Sequence, residues 1–329
     1  MTASNDSSTE RVAEILAETA DFDSVKSLLS DEAAAERLLS TKEGRLEFLA
    51  RSRSVVEQCE RLRAEMEEMS VVHELTLEHA TRIENELELQ NRIVSEDLDV
   101  ARGIQQSLMP DPSMLADYVD IAVYHKQLTE IGGDYYDFSQ LPGDQFAVSV
   151  YDISGHGVSS ALIMTFLKAQ IENATKRLDS PSAIVDWVNR ASYAFLRGVR
   201  RYATVNFVMF SDRFLRYVSG GGFGLLVRRG EQKTFNRVGN YIGLRTKPFR
   251  EFELPFEEHD VVALYTDGMV EALDENGKGY TVQRLNDLIA RHSDEPVQDI
   301  LNRCVEDYTK FRAQDTDDIT LLILRRCSK

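Results

Sequence analysis

Cysteine, tryptophan and long apolar runs are all scarce in this 329-residue chain, and the scarcities close off several classes of protein. The three cysteines, Cys59, Cys304 and Cys327, are widely spaced and fit neither a zinc pattern nor a disulfide framework, which points to a reducing compartment. No run of about 18 apolar residues occurs, so no membrane-spanning helix is expected. The opening MTASNDSSTE is polar and does not read as a secretory leader, and the expected location is the cytoplasm. Positive charge is also short: 38 Lys and Arg stand against 55 Asp and Glu, a net charge of −17. Residues 1–110 hold 12 of the cations and 24 of the anions, hence −12 of that total. Nucleic acid and anionic lipid would both be repelled, so neither is an expected partner, and the acidic excess reads as a solvated helix face.

Proline is absent from the whole stretch between residue 10 and residue 108, and glycine occurs there only at Gly44 and Gly103. Glu, Leu, Ala and Arg dominate the segment, a composition that favours helix throughout. Short helices are expected over RVAEILAETA (11–20) and DEAAAERLLS (31–40). From Val55 a 3-4 spacing runs through Cys59, Leu62, Met66, Met69, His73, Thr76, Ala80, Ile83, Leu87, Gln90, Val94, Asp97, Ala101, Ile104 and Leu108. Such a stripe, with charge on the other faces, predicts a coiled coil and a parallel homodimer, with Gln90 and Asp97 as its polar, more easily rearranged end. The expected division is a helical regulatory or partner-binding region over 1–75, a coiled-coil linker over 76–109, and a mixed domain over 110–329.

Pro110 and Pro112 end the helical texture. Strand-like runs follow at VDIAVYHK, DQFAVSVYD, ATVNFVMFS, FLRYVSG, FGLLVRR, DVVALYTD and DDITLLILRR. Helical patterns fall between them, at VSSALIMTFLKAQIENA, SAIVDWVNRASYAFLRGV, VQRLNDLIARH and VQDILNRCVEDYTKFR. Strands 203–211, 213–219 and 223–228 follow one another so closely that antiparallel hairpins are expected between them. The fold class is therefore α/β (α+β), an antiparallel layered domain and not a doubly wound nucleotide fold.

Four aspartate-bearing patches stand at or beside the ends of those apolar runs: IGGDYYDF (131–138), YDISGHG (151–157), YTDG (265–268) and TDDIT (316–320). A buried strand fixes the backbone, and a carboxylate at its mouth stays within reach of water and substrate. Carboxylates without a His or Cys cluster suit a hard cation such as magnesium or manganese, not zinc or copper. Several of them at one spot repel unless cations neutralise them, and two cations sharing a carboxylate can deprotonate a water between them. Asp137 reads as a supporting or turn acid, His156 as an ordering residue of its loop, and His125 and Lys126 as a strand end open to solvent or phosphate.

In this order the motifs ARGIQQSLMP, IGGDYYDF, VYDISGHGVSSALIM, YATVNFVMF, VVALYTDGMVEALDENGKGY and DDITLLIL resemble the bacterial SpoIIE/RsbU-like branch of the PPM metal-dependent serine/threonine phosphatases. The resemblance spans about residues 101–326 and implies a PPM-type fold of two mainly antiparallel β-sheets flanked by helices. It further implies two Mn²⁺ or Mg²⁺ ions bridged by Asp152, with the Ile153 carbonyl on one ion and Asp267 and Asp317 on the other. Asp134 matches an acid near the first ion, and Asp318 is the weaker member of its pair. The implied substrate is a phosphorylated STAS-type anti-sigma-factor antagonist, with an activating protein or signal received by the N-terminal helices. SGGG at 219–222 replaces the family's usual NAGH, and QLTE at 127–130 replaces a run containing Pro-Ala, so substrate preference is less fixed than reaction. A phosphatase-like binding module with little turnover, and a small-molecule phosphohydrolase, are the competing readings.

Overall fold

The computed structural model describes residues 39–326 apart from 117, 142–144, 156, 212 and 236–239, together with the isolated residues 26, 30 and 36. The helix expected over 11–20 and most of that over 31–40 lie outside the described residues, as do His156 and Cys327. Helix α1 runs from Lys42 to Leu108, 67 residues without proline. Met66, Met69, Ile83, Leu87, Val94 and Ile104 of the 3-4 stripe are each more than half exposed on the single chain. Contacts divide the chain into two compact units between Arg92 and Ile93, within this helix. None of the described helices is long and apolar enough to cross a membrane.

The second unit is a β-sandwich. Its strands are β1 (Val119–Lys126), β2 (Tyr135–Leu141), β3 (Gln145–Tyr151), β4 (Val205–Phe210), β5 (Phe214–Gly220), β6 (Phe223–Arg228), β7 (Glu231–Thr234), β8 (Phe252–Pro255), β9 (Val261–Tyr265) and β10 (Ile319–Arg326). One sheet has the order β1-β10-β9-β6-β7 and the other β2-β3-β4-β5-β8, all antiparallel. Between the sheets Val148, Val208, Phe210, Val262, Leu264, Leu322 and Leu324 form one apolar core. Helices α2 (Val158–Thr175) and α3 (Pro181–Gly198) cover the second sheet through Met164, Leu167, Ile171, Ile184 and Val188. The one-turn helix α4 (Asp267–Val270) and helices α5 (Val282–Arg291) and α6 (Val297–Phe311) cover the first through Met269, Leu285, Ile289, Ile300, Leu301 and Cys304. Each apolar strand is thus buried on both faces, which explains why β4, β9 and β10 read as continuous hydrophobic runs with no alternation.

The expected strands and helices of this domain are present, with one correction to their pairing. β4 and β5 form the expected hairpin, but β5 and β6 do not pair: β5 lies between β4 and β8, and β6 between β9 and β7. The chain crosses from one sheet to the other within Gly221 and Gly222. Gly221 has φ +81°, and a Cβ there would sit 2.1 Å from the Tyr241 ring. Only glycine allows that turn at that distance, so SGGG is a sheet-switching corner.

Candidate metal centre

Strand pairing carries the four patches to one end of the sandwich. In the second sheet Tyr135 pairs with Tyr151, so Asp134, just before β2, and Asp152, just after β3, leave the same edge. In the first sheet Tyr265 pairs with Leu321, which puts Asp267 and the pair Asp317 and Asp318 at the same edge as each other. The sheets are then joined by side chains: the hydroxyls of Thr266 and Thr320 both donate to Asp134 Oδ2, at 2.8 and 2.7 Å.

Asp134 is 2 % exposed. Its burial, followed by the charge of Asp152, holds its carboxyl well above the usual carboxylate range, while the two threonine hydroxyls act in the opposite direction. Asp318 is also buried, and its carboxylate accepts the backbone N–H groups of Leu128 (2.7 Å), Gly133 (2.6 Å) and Asp134 (3.4 Å). It therefore fixes the QLTEIGGD loop against β10. Asp317 is exposed and accepts the Asp318 N–H at 2.8 Å. Adjacent in sequence, these two aspartates face different tasks.

The Asp152 carboxyl is pushed up to about 8, first by burial and then by the charges of Asp267, Asp317, Asp318 and Glu271. Its backbone is held by Thr204, whose N–H donates to the Asp152 carbonyl at 2.8 Å and whose hydroxyl accepts the Asp152 N–H at 3.2 Å. Ile153 is buried and bridges Ala203, and its carbonyl faces Gly133, 2.9 Å from where a Cβ on that glycine would stand. Asp267 opens α4, and its carboxyl is raised to about 6 by burial, then by Glu271 and Asp317. Glu271 is an acid that sequence reading passed over. Its signal was there, four residues after Asp267 and so on the same helical face.

Burial and mutual repulsion that raise three carboxyls together are the signature of an anionic pocket suited to a hard cation, and the donors are oxygen alone. Among the described residues, however, no three His, Cys, Asp or Glu side chains close on one point tightly enough to form a finished ligand set. The acids are gathered but not converged.

The neighbouring residues take definite places. His125 is half-buried and bonded within the site: Thr320 gives its hydroxyl proton to Asp134, so His125 Nδ1, 3.0 Å from that oxygen, is the donor to it. Burial lowers the pKa of this imidazole below its ordinary value, against the charge of Asp318. Lys126 is bound to Asp315 at 2.6 Å. Asp137 points into the helix layer, where it pairs with Lys168 at 3.0 Å. Gln105 of α1 is buried, donates to the Gly132 carbonyl at 2.8 Å and accepts from Gln127 at 2.6 Å, so the Gln of QLTE contacts the helix where a proline could not.

Comparison with known proteins agrees with this architecture. Residues 142–327 match the family of stage II sporulation protein E (SpoIIE). The phosphoserine phosphatase RsbP of Bacillus subtilis is 26% identical over 212 residues, 62% of this chain and 51% of RsbP. The phosphoserine phosphatase RsbU of the same organism is 26% identical over 249 residues, 72% of each chain. The chain thus spans about half the length of one of these relatives and 72% of the other. Among solved structures, the SiaA-PP2C domain of Pseudomonas aeruginosa superposes with a TM-score of 0.65 at 24% identity, over 71% of this chain and 98% of that domain. The fold is of the PP2C type.

Proposed function

This chain belongs to the SpoIIE family, and from that premise we propose that it is a cytoplasmic metal-dependent phosphoserine/phosphothreonine protein phosphatase. Its substrate, on this reading, is a phosphorylated STAS-type anti-sigma-factor antagonist in a partner-switching pathway. The observation that carries the reading is the set of buried and half-buried, mutually repelling carboxylates at one edge of the two sheets, centred on Asp152. Asp152, the Ile153 carbonyl, Asp267 and Asp317 would hold two Mn²⁺ or Mg²⁺ ions, with Asp134 and Asp318 beside them. When bound, the pair of ions supplies a water activated for attack on phosphorus.

The protein's own residues prepare that chemistry. Asp318 clamps the Gly133 and Asp134 peptides, and Thr266 and Thr320 fix the Asp134 carboxylate. Thr204 fixes the backbone on either side of Asp152. Asp152, its carboxyl pushed up to about 8 by burial and repulsion, would give up its proton to take a cation.

The exposed stripe on α1 supports a parallel coiled-coil homodimer, and we assign residues 1–75 to reception of an activating protein or signal and 76–109 to the linker. A second reading, a binding module with little turnover, rests on the departures at SGGG (219–222) and QLTE (127–130) from the family's usual loops. Hydrolysis of a phosphoserine STAS protein, with and without Mn²⁺, separates the two. Metal-dependent phosphate release that Asp152→Ala abolishes supports the phosphatase; retained binding of the phosphoprotein without turnover supports the module.

A further inference from the structure

Cations are few in this chain, yet two segments beside the carboxylate edge hold them without any acid. Residues 187–211 contain Arg190, Arg197, Arg200 and Arg201, residues 240–250 contain Arg245, Lys247 and Arg250, and neither contains Asp or Glu. The fold packs the two segments together. Ala203 bridges Ile242, Gly243 lies against Leu196, the rings of Tyr202 and Tyr241 meet at 5.4 Å, and Asn189 bonds both the Arg245 carbonyl and the Gly243 N–H.

Among the described residues, Arg197, Arg200, Arg201, Arg245 and Lys247 make no ion pair with a carboxylate. The nearby acids are engaged elsewhere: Asp186 accepts the Phe249 N–H, and Glu251 binds Ser182 and Arg216. Interleaved with the cations, Phe195, Val199, Tyr202 and Leu244 are 41–48% exposed. The face adjoins the reaction centre through Arg201, whose Nη1 donates to the Ser154 carbonyl at 3.0 Å, two residues beyond Asp152. Gly155, at φ +89°, leaves room for that guanidinium, since a Cβ there would stand 2.2 Å from Nη1. Arg200 has φ +56° just past the end of α3, a conformation that favours glycine at the end of a helix. Backbone strain of this kind clusters at functional sites.

We propose that this face, from the exposed end of α3 to the 241–247 loop, docks an acidic segment of the phosphoprotein substrate, with Arg201 as its innermost cation. The assignment rests on the phosphatase reading and adds the chemistry of the residues flanking the phosphoserine: carboxylates for the cations, with apolar side chains between them for Phe195, Val199, Tyr202 and Leu244. Complementary charge would draw such a segment out of a field that is otherwise repulsive to anions.

The test compares a phosphoserine peptide flanked by aspartates with the same peptide flanked by glutamines, each measured against p-nitrophenyl phosphate as the internal reference. In Arg200→Glu/Arg245→Glu/Lys247→Glu the relative kcat/KM for the acidic peptide is expected to fall roughly tenfold, and that for the neutral peptide less than about twofold. Arg229→Glu/Lys233→Glu, on the β6–β7 turn, makes a change of the same sign elsewhere and is expected to keep the preference. Equal losses on both peptides, a loss of the same size in the β6–β7 variant, or an unchanged ratio overturns the docking face. Should the unaltered protein hydrolyse none of the three compounds, the phosphatase reading fails on its own. The face is then judged by fluorescence anisotropy of the acidic phosphopeptide on the Asp152→Ala protein: binding weakened about tenfold by the triple reversal supports it, and unchanged binding overturns it.

Discussion

Two groups of acids share one edge of the sandwich and are treated in opposite ways. The inner group, Asp134 and Asp318, is buried and supplied with donors from both sheets: two threonine hydroxyls for one carboxylate, three backbone N–H groups for the other. In the outer group the charges of Asp317 and Glu271 help to raise the carboxyls of Asp152 and Asp267. The inner acids hold the fold of the loops; the outer acids concentrate negative charge around Asp152 and Asp267.

The sharpest way to break this comparison is to delete one carboxylate from the adjacent pair. Asp318→Ala leaves up to three buried N–H groups without acceptors and should cost about 3 kcal/mol in stability. Asp317→Ala should leave the denaturation midpoint almost unchanged while weakening Mn²⁺ binding, as calorimetry would record. Equal destabilisation by both substitutions would erase the distinction between clamp and mouth.

Next in size is the pH dependence of the metal-free protein. The folded-state pKa of Asp152, about 8, is raised above its ordinary value of 3.8, so the folded chain holds a proton that the unfolded chain has lost. That contribution is fully present below about pH 4 and is lost as pH rises toward 8. The melting temperature of the metal-free protein should therefore fall by a few degrees across this window relative to Asp152→Asn, in which the proton is absent. Mn²⁺ should recover more of the loss at pH 8 than at pH 5. A flat difference between the two proteins would show that the outer acids are not held in repulsion.

The smallest effect belongs to Thr320→Val. It removes one hydroxyl from Asp134 and the acceptor of His125, with the Thr266 hydroxyl still in place, and should cost about 1 kcal/mol in a urea titration. A cost as large as that of Asp318→Ala would place the clamp on the threonines instead.

Much of this edge was legible in the sequence because a strand-end aspartate is a local pattern: apolar run, carboxylate, glycine or turn. The four patches were read in that way, with Asp134, Asp152, Asp267 and Asp317 singled out within them by the family resemblance, and the antiparallel layered fold followed from strand and helix patterns of the same local kind. The roles within the group were not legible. Nothing in TDDIT distinguishes a carboxylate that accepts three backbone N–H groups from its exposed neighbour, because the donors come from residues 128–134, nearly 190 positions away. Thr266 and Thr320 were passed over for the same reason: a threonine in a strand is ordinary until a buried acid from the other sheet faces it. The β5–β6 connection was misread as a hairpin because two short neighbouring strands look alike whether they pair or part, and the partners that separate them, β8 and β9, lie far along the chain.

The sequence by itself determined the 67-residue helix, the order of strands and helices, and the residue types able to hold a hard cation, since propensity, periodicity and oxygen donors are properties of short stretches. Only the tertiary structure decided which acids became clamps and which were left in repulsion, and that the acid-free segments of α3 and the 241–247 loop form one basic face next to Asp152. Hydrogen-bond partners, burial and charge complementarity depend on distances through space, and antiparallel pairing sets those distances between residues that are far apart along the chain.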